Sequence, residues 1–242
     1  MGVIYMKILN FGSLNIDYVY SVDHFVQKGE TISSSQMNIF SGGKGLNQST
    51  ALGRAGAQVF HAGRIGKGGE FLVEQLKEAG VNTDLVVLDS QCSTGHAIIQ
   101  NDAEGDNCIL LYGGANQRIT KEQIDATLDQ FDAGDYLVLQ NETSNLPYLM
   151  EKAAEKTDED RVKSVPQWMK KVKALPLDKV TLFFVNEIEA AQILGQKELE
   201  STQEAAAAFR SMFPQAAVVL TLGSQGSVYI DKDQVIPQSA IK

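Results

Sequence analysis

The run Ser41-Gly42-Gly43-Lys44-Gly45-Leu46-Asn47-Gln48 places three glycines and a lysine directly ahead of a helical pattern that extends from Leu46 to Gly56. Glycine lets backbone approach a ligand with no Cβ in the way. The first turn of a helix carries N–H groups without intrahelical partners, and these suit polar or anionic atoms. Lys44 and Asn47 add a charge and directional hydrogen bonds. The spacing is not that of the phosphate loop G-x-x-x-x-G-K-[ST]. An ordinary glycine-rich turn would read the same way in isolation, so the remainder of the chain decides.

Further polar residues fall at the ends of expected strands, where open α/β sheets place their ligand contacts. Lys7 to Phe11 reads as a first strand and runs into Gly12-Ser13-Leu14-Asn15-Ile16-Asp17. Asn15 and Asp17 are two apart, so on extended backbone they face the same way. An amide converging with a carboxylate suits a ligand rich in hydroxyl groups, although a turn held by Asn and Asp side chains has the same composition. Glu142 follows the apolar run Tyr136 to Gln140, Asn186-Glu187-Ile188-Glu189 follows Leu182 to Val185, and Thr221-Leu222-Gly223-Ser224-Gln225-Gly226 closes Ala216 to Thr221. Gly63 to Gly69 is glycine-rich without being the dinucleotide pattern G-x-G-x-x-G.

These residues need a scaffold, and the periodicity supplies one. Val59 to Ala62 and Val86 to Leu88 read as further core strands, with a helix between them (Phe71 or Leu72, Leu76, Ala79) that Gly80 stops. Thr120 to Gln123 and Ser201 to Glu204 are capping boxes that open helices, the second running to Met212, and Asn145-Leu146-Pro147 opens another that runs to about Lys156. Ser227 to Ile230 turns back as an antiparallel strand. Tyr18 to Val22, Thr31 to Phe40 and a hairpin formed by Thr94 to Gln100 with Asn107 to Tyr112 predict a small sheet apart from the main βα pattern. Such a sheet serves equally as a lid that excludes water or as a dimer surface. Thr157 to Lys171 breaks the alternation: it holds five acidic or basic residues before Pro166 and reads as a loop or weak helix where a strand is due.

Bulk composition narrows the function. The 242 residues, 43% hydrophobic and 21% charged, fit one large α/β domain spanning 1–242 with lid strands inserted at about 18–41 and 94–112. A net charge of −9 argues against a nucleic-acid partner or an anionic membrane surface. No apolar run is long enough to span a bilayer, and the N-terminus has no signal-peptide pattern, so the expected compartment is the cytoplasm. Cys92 and Cys108 lack metal spacing, and His24, His61 and His96 form no ligand cluster.

Taken in order, two pairs of motifs resemble the ribokinase-like, or PfkB, carbohydrate kinases. One pair is Gly12 to Asp17 followed by Ser41 to Gln48; the other is Asn186-x-x-Glu189 followed by Thr221-Leu222-Gly223-x-x-Gly226. The resemblance covers Lys7 to about Lys156 and about Leu175 to Lys242. It implies a mostly parallel central sheet flanked by helices, with a small β-sheet lid. It implies transfer of the ATP γ-phosphoryl to a sugar hydroxyl with Mg²⁺, ribose being the expected acceptor, and a monovalent cation in the complete family fold. By the same resemblance Asn15, Asp17, Gly43, Lys44, Asn47 and Glu142 hold the sugar. Asn186 and Glu189 organise phosphates and Mg²⁺ through water, and Thr221, Gly223 and Gly226 lie against the nucleotide. A homodimer through the lid strands is also implied.

The chain departs from the family pattern in three places. Gly68 stands where the family has an acidic residue, with a modest structural effect expected. Thr157 to Lys171 replaces an apolar core strand, as a local frameshift would. No stretch matches the family's second signature, Gly-Ala-Gly-Asp, whose aspartate is the catalytic base and which would fall beyond Lys242; Asp231 and Asp233 sit in an expected hairpin turn and do not replace it. A general base contributes about 10²–10⁴ in rate and one anion-hole donor about 10²–10³. The expectation is therefore a sugar kinase by family whose 242 residues alone turn over very little. The alternatives are a non-catalytic sugar-binding remnant, or a kinase for fructose, a deoxy-keto acid sugar or a nucleoside.

Overall fold

The computed structural model describes residues 6–132, 134–156, 162–165 and 175–240. The strands are β1 (Ile8–Phe11), β2 (Asn15–Ser21), β3 (Gln36–Gly42), β4 (Val59–Lys67), β5 (Asn82–Ser93), β6 (Gly95–Asn101), β7 (Asn107–Tyr112), β8 (Tyr136–Gln140), β9 (Val162–Val165), β10 (Val180–Asn186), β11 (Ala217–Thr221), β12 (Ser227–Ile230) and β13 (Val235–Gln238). The helices are α1 (Lys44–Arg54), α2 (Glu70–Glu78), α3 (Lys121–Leu128), α4 (Leu146–Glu155), α5 (Glu187–Ile193) and α6 (Thr202–Met212). The α/β expectation holds: main-sheet strands are mostly parallel and helix-flanked, and a second, smaller sheet stands apart. The chain divides into two compact units, one of residues 1–9, 120–141 and 145–242, the other of residues 10–119 and 142–144.

In the first unit the strands run in the order β13-β12-β11-β10-β9-β8, parallel from β8 to β11 and antiparallel at β12 and β13. Alternation along β10 buries Phe183 and Val185, and Phe183 packs on Phe209 of α6 and on Phe213, with ring centroids 5.9 and 4.9 Å away. On the opposite face of the strand Phe184 is 43% exposed. Ser201 caps α6 by accepting from Glu204 N–H, and Thr120 caps α3 by accepting from Gln123 N–H, as the sequence predicts.

One expectation fails here. Val162–Val165, inside the stretch read as loop or weak helix, is strand β9, parallel to β8 on one side and β10 on the other. Side-chain polarity predicts against it, but the ladder is made by backbone. A gap between β8 and β10 would leave two rows of N–H and C=O groups without partners, which costs more than a poor local preference. The rest of Thr157–Lys171 lies outside the described residues.

In the second unit β4 pairs parallel with β5, and β4 and β5 run longer than their apolar centres indicate. The small sheet has the order β3-β2-β6-β7: β2 is antiparallel to β3 and parallel to β6, and β6 and β7 form the expected hairpin. Residues 31–35, expected as strand, lie outside it. Asp89 of β5 ties β4 to the turn after β7 through Arg64 (3.3 Å) and Arg118 (2.8 Å); the Gln91 N–H and these guanidinium groups hold its carboxyl down at about 2.

Helix α1 packs almost backbone to backbone on the turn that leaves β1. A Cβ built on Gly45 would stand 2.4 Å from Ser13 N and 2.5 Å from the Gly12 carbonyl carbon. Gly45→Ala should therefore lower stability by about 1–3 kcal/mol through overpacking, against the gain of roughly 1 kcal/mol that Gly→Ala brings to a free helix interior. A urea melt reads the sign, and a stabilised variant would contradict the close approach.

Candidate functional site

The six residues expected to hold a sugar, Asn15, Asp17, Gly43, Lys44, Asn47 and Glu142, all belong to the second unit. Gly43 is the residue before α1. Its φ of 95° belongs to the left-handed region, and a Cβ there would lie 2.8 Å from Ser13 O and 3.0 Å from Asn15 N. Only glycine meets both demands. Next to it, a Cβ on Gly42 would strike the Asp17 carboxylate at 2.2 Å, so Gly42 is the floor on which that side chain lies.

The helix start differs from expectation. Its first N–H groups are not free: Glu142 Oε2 accepts from Lys44 N at 3.5 Å, Ser13 Oγ from Gly45 N at 3.2 Å, and Ser13 O from Leu46 N at 3.0 Å. Asn47 N donates to Gly43 O at 3.0 Å. The groups that satisfy this turn are themselves candidate ligand contacts. Ser13 Oγ donates to Glu142 Oε2 at 2.5 Å, and Lys44 Nζ pairs with Glu142 Oε1 at 3.1 Å. Glu142, 14% exposed, thus accepts from a hydroxyl, an ammonium and a helix N–H, all favourable to a carboxylate near the positive end of a helix. Asn47 is exposed one turn further on, three residues from Lys44 and on the same face.

Asn15 and Asp17 sit at the start of β2 and point the same way, as the spacing predicts. Asn15 is 5% exposed and its Oδ1 accepts from Asn116 Nδ2 at 2.8 Å, which leaves its own amide hydrogens as the groups to offer a ligand. Asn116 also accepts from Leu14 N and donates to Leu14 O, so one buried amide grips the backbone on both sides. Asp17 is half-buried, and its pKa is raised above 3.8, first by desolvation and then by the Glu142 carboxylate. Hydroxyls of a bound polyol would relieve both.

Sequence reasoning missed three contributors. Ser13 lies inside the quoted motif, but nothing about a serine after glycine marks it as the hinge of the site. Gly42 is visible as a glycine, not as the support of Asp17. Asn116 had one usable signal, an amide two residues after Gly113-Gly114 at the end of a hairpin.

In the first unit, Asn186 and Thr221 share a rung of the β10–β11 ladder, at the C-terminal ends of both strands. Asn186 caps α5 by accepting from Glu189 N–H at 2.9 Å, and Glu189 Oε2 accepts from Asn186 N–H at 3.0 Å. This reciprocal capping box accounts for both residues locally, while Glu189 Oε1 has no partner among the described residues that would compete with a solvated cation. Gly223 (φ 54°) and Gly226 (φ 101°) bound a short 3-10 turn after β11, closed by Leu222 N donating to Gly226 O at 2.8 Å. Thr221 is exposed, its hydroxyl 3.4 Å from Val185 O. Among the described residues no group of three or more His, Cys, Asp or Glu could hold a metal, and no helix is long and apolar enough to cross a membrane.

Residues 6–242 match the model of the pfkB family carbohydrate kinases. The chain belongs to that family. It is 33% identical over 236 residues to the ribokinase of Staphylococcus aureus, covering 94% of this chain and 76% of that one. A ribokinase from Cryptococcus neoformans, solved with ADP, superposes with a TM-score of 0.80 at 29% identity, covering 98% of this chain and 80% of that one. An Arabidopsis thaliana ribokinase complexed with ribose and ATP shares the fold at 23% identity, with a TM-score of 0.79 and coverage of 99% and 79%. The family consists of phosphotransferases whose acceptor is an alcohol group.

Asp17 supplies a signed prediction. Its folded pKa exceeds the unfolded value, so it is harmless to stability below about pH 3.8 and costs more as pH rises through the folded pKa. Asp17→Asn should raise the melting temperature of the ligand-free protein at pH 7, and the gain should shrink toward pH 3.5. An Asn variant that melts lower at pH 7 would show that the carboxylate is not under strain.

Proposed function

We propose that this carbohydrate kinase is of the ribokinase type: ATP as phosphoryl donor, Mg²⁺ as its metal, and ribose as acceptor at the hydroxymethyl oxygen. The observation that carries the sugar assignment is the convergence of Asn15, Asp17, Lys44 and Glu142 on the start of α1. Amide hydrogens, two carboxylates and an ammonium at fixed positions can each take a sugar hydroxyl, and together they demand a small polyol rather than an apolar group. Similarity to the S. aureus ribokinase supports ribose over other sugars. On the nucleotide side, Asn186, Thr221, Gly223 and Gly226 would lie against ATP. A hard cation that keeps most of its waters asks for one or two carboxylates plus phosphates, which a single Glu189 beside a nucleotide satisfies. When bound, the metal neutralises charge on the transferring phosphoryl.

No described residue stands in for the aspartate of the family's second signature. Asp231 has its carboxylate engaged by Asp233 N, Gln234 N and the Gln234 amide within a turn. The second reading is a non-catalytic sugar-binding protein, which would bind ribose without turnover. Titration calorimetry with ribose, followed by a coupled ADP-release assay, tests the reading: ribose should bind, Lys44→Ala should weaken it by about tenfold or more, and ribose-dependent release of ADP separates the kinase from the binding protein. Stronger binding of fructose or a nucleoside than of ribose would overturn the acceptor.

The small sheet supports a homodimer. All six residues of β7 are exposed, with Ile109, Leu110, Leu111 and Tyr112 each more than half exposed, and Ile39 and Phe40 of β3 match them. An uncovered apolar sheet with open edges invites a second copy. Sedimentation should give a dimer at micromolar concentration, and Leu110→Glu should dissociate it; a monomeric wild type would count against the lid interface.

A further inference from the structure

Beneath the sugar-side turn lies a buried polar chain that the proposed chemistry does not use. Asn10 of β1, Ser49 of α1 and His61 of β4 are each fully buried. Asn10 Nδ2 donates to Gly45 O and to Ser49 Oγ, both at 2.8 Å. Ser49 Oγ lies 2.8 Å from His61 Nδ1. Asn10 gives both amide hydrogens; Ser49 accepts one of them and has its own proton left for His61. With Ser49 donating to His61, Nδ1 is the bare nitrogen and Nε2 carries the hydrogen. That Nε2 lies beside the backbone of Gly12 without completing a well-aligned hydrogen bond. A Cβ on Gly63 would stand 2.7 Å from Gly12 O and 3.3 Å from Nε2, so the imidazole, Gly63 and the Gly12 carbonyl share one tight junction. Burial holds the imidazole neutral, with its pKa brought down to about 4.

The chain touches α1 at two points one turn apart, the Gly45 carbonyl and the Ser49 hydroxyl. Both lie on the side of the helix that faces β1 and β4, and the first turn they anchor carries Lys44 and Asn47. An apolar core would hold the helix by shape alone. Hydrogen bonds at two successive turns also fix its rotation and its position along its axis.

We propose that His61 is a positioning residue for the sugar site: through Ser49 and Asn10 it sets the register of α1 against β1, and so the place of Lys44 and Asn47 relative to Asn15 and Asp17. The ligand readout rests on the ribose assignment above; the exchange readout does not.

The test compares wild type, His61→Leu, and the double variant Ser49→Ala with His61→Leu. His61→Leu leaves the Ser49 hydroxyl buried without an acceptor, and amide hydrogen exchange across Lys44 to Asn47 should quicken by about tenfold while α6 is unchanged. Ribose affinity should fall by about the same factor, with affinity for a non-hydrolysable ATP analogue unchanged. The double variant also removes the Ser49 link and leaves an Asn10 amide hydrogen buried without its acceptor, so both readouts should stay at least as impaired as in His61→Leu, and recovery toward wild type would overturn the positioning role. Ring ¹⁵N spectra of the wild type at neutral pH should show Nε2 protonated and Nδ1 bare, which keeps the proposal decidable should His61→Leu fail to fold. Unchanged exchange in the first turn of α1, or a protonated Nδ1, overturns it. Failure of wild type to bind ribose, with the exchange result as expected, would sink the ribose assignment and leave the positioning role standing.

Discussion

The close approach of α1 to the turn after β1 is the contact on which the rest of the second unit depends. Gly45 permits it, Gly43 allows the chain to enter the helix from the left-handed region, and Ser13 joins the two segments by bonding Gly45 N and Glu142 together. A helix that starts so near a neighbouring backbone has no room for water to satisfy its first N–H groups. The chain meets that need with Ser13 and Glu142, and in doing so fixes a carboxylate and a lysine where a ligand would arrive. Stability and site construction are here the same set of hydrogen bonds.

The unresolved balance in that set is electrostatic. Glu142 has three donors, whereas Asp17, half-buried and near it, has its proton affinity raised by desolvation and by the neighbouring carboxylate. Two carboxylates set close together with only one well compensated would favour hydroxyl donors, as the proposed sugar site requires. Binding strength in such a site comes from relieving an existing cost as well as from new contacts.

Much of this was legible in the residues. Asn15 and Asp17 announce themselves by spacing, Lys44 and Asn47 by following glycines at a helix start, and Glu142 by standing at the end of an apolar strand. The elements with clear periodicity, such as α2, α6 and the β6–β7 hairpin, fell where the pattern put them. What the pattern could not carry was backbone arithmetic. Strand β9 exists because β8 and β10 need a partner, which no local reading of Val162 to Val165 contains. The pairing of the α1 N–H groups likewise depends on Ser13 and Glu142, 31 and 98 positions from Lys44 in opposite directions along the chain. Asn186 and Glu189 illustrate the converse: a motif read for chemistry is also a complete capping box, so its presence alone does not separate the two roles.

The account stands on the claim that the sugar site is assembled within residues 10–119 and 142–144. A ribose titration followed by backbone-amide NMR tests it most directly. The account predicts shifts concentrated at Asn15, Asp17, Gly43, Lys44, Asn47 and Glu142, with Asn186 to Glu189 and Gly223 to Gly226 unmoved until a nucleotide is added. Shifts centred on the nucleotide-side residues, or none at saturating ribose, would contradict it.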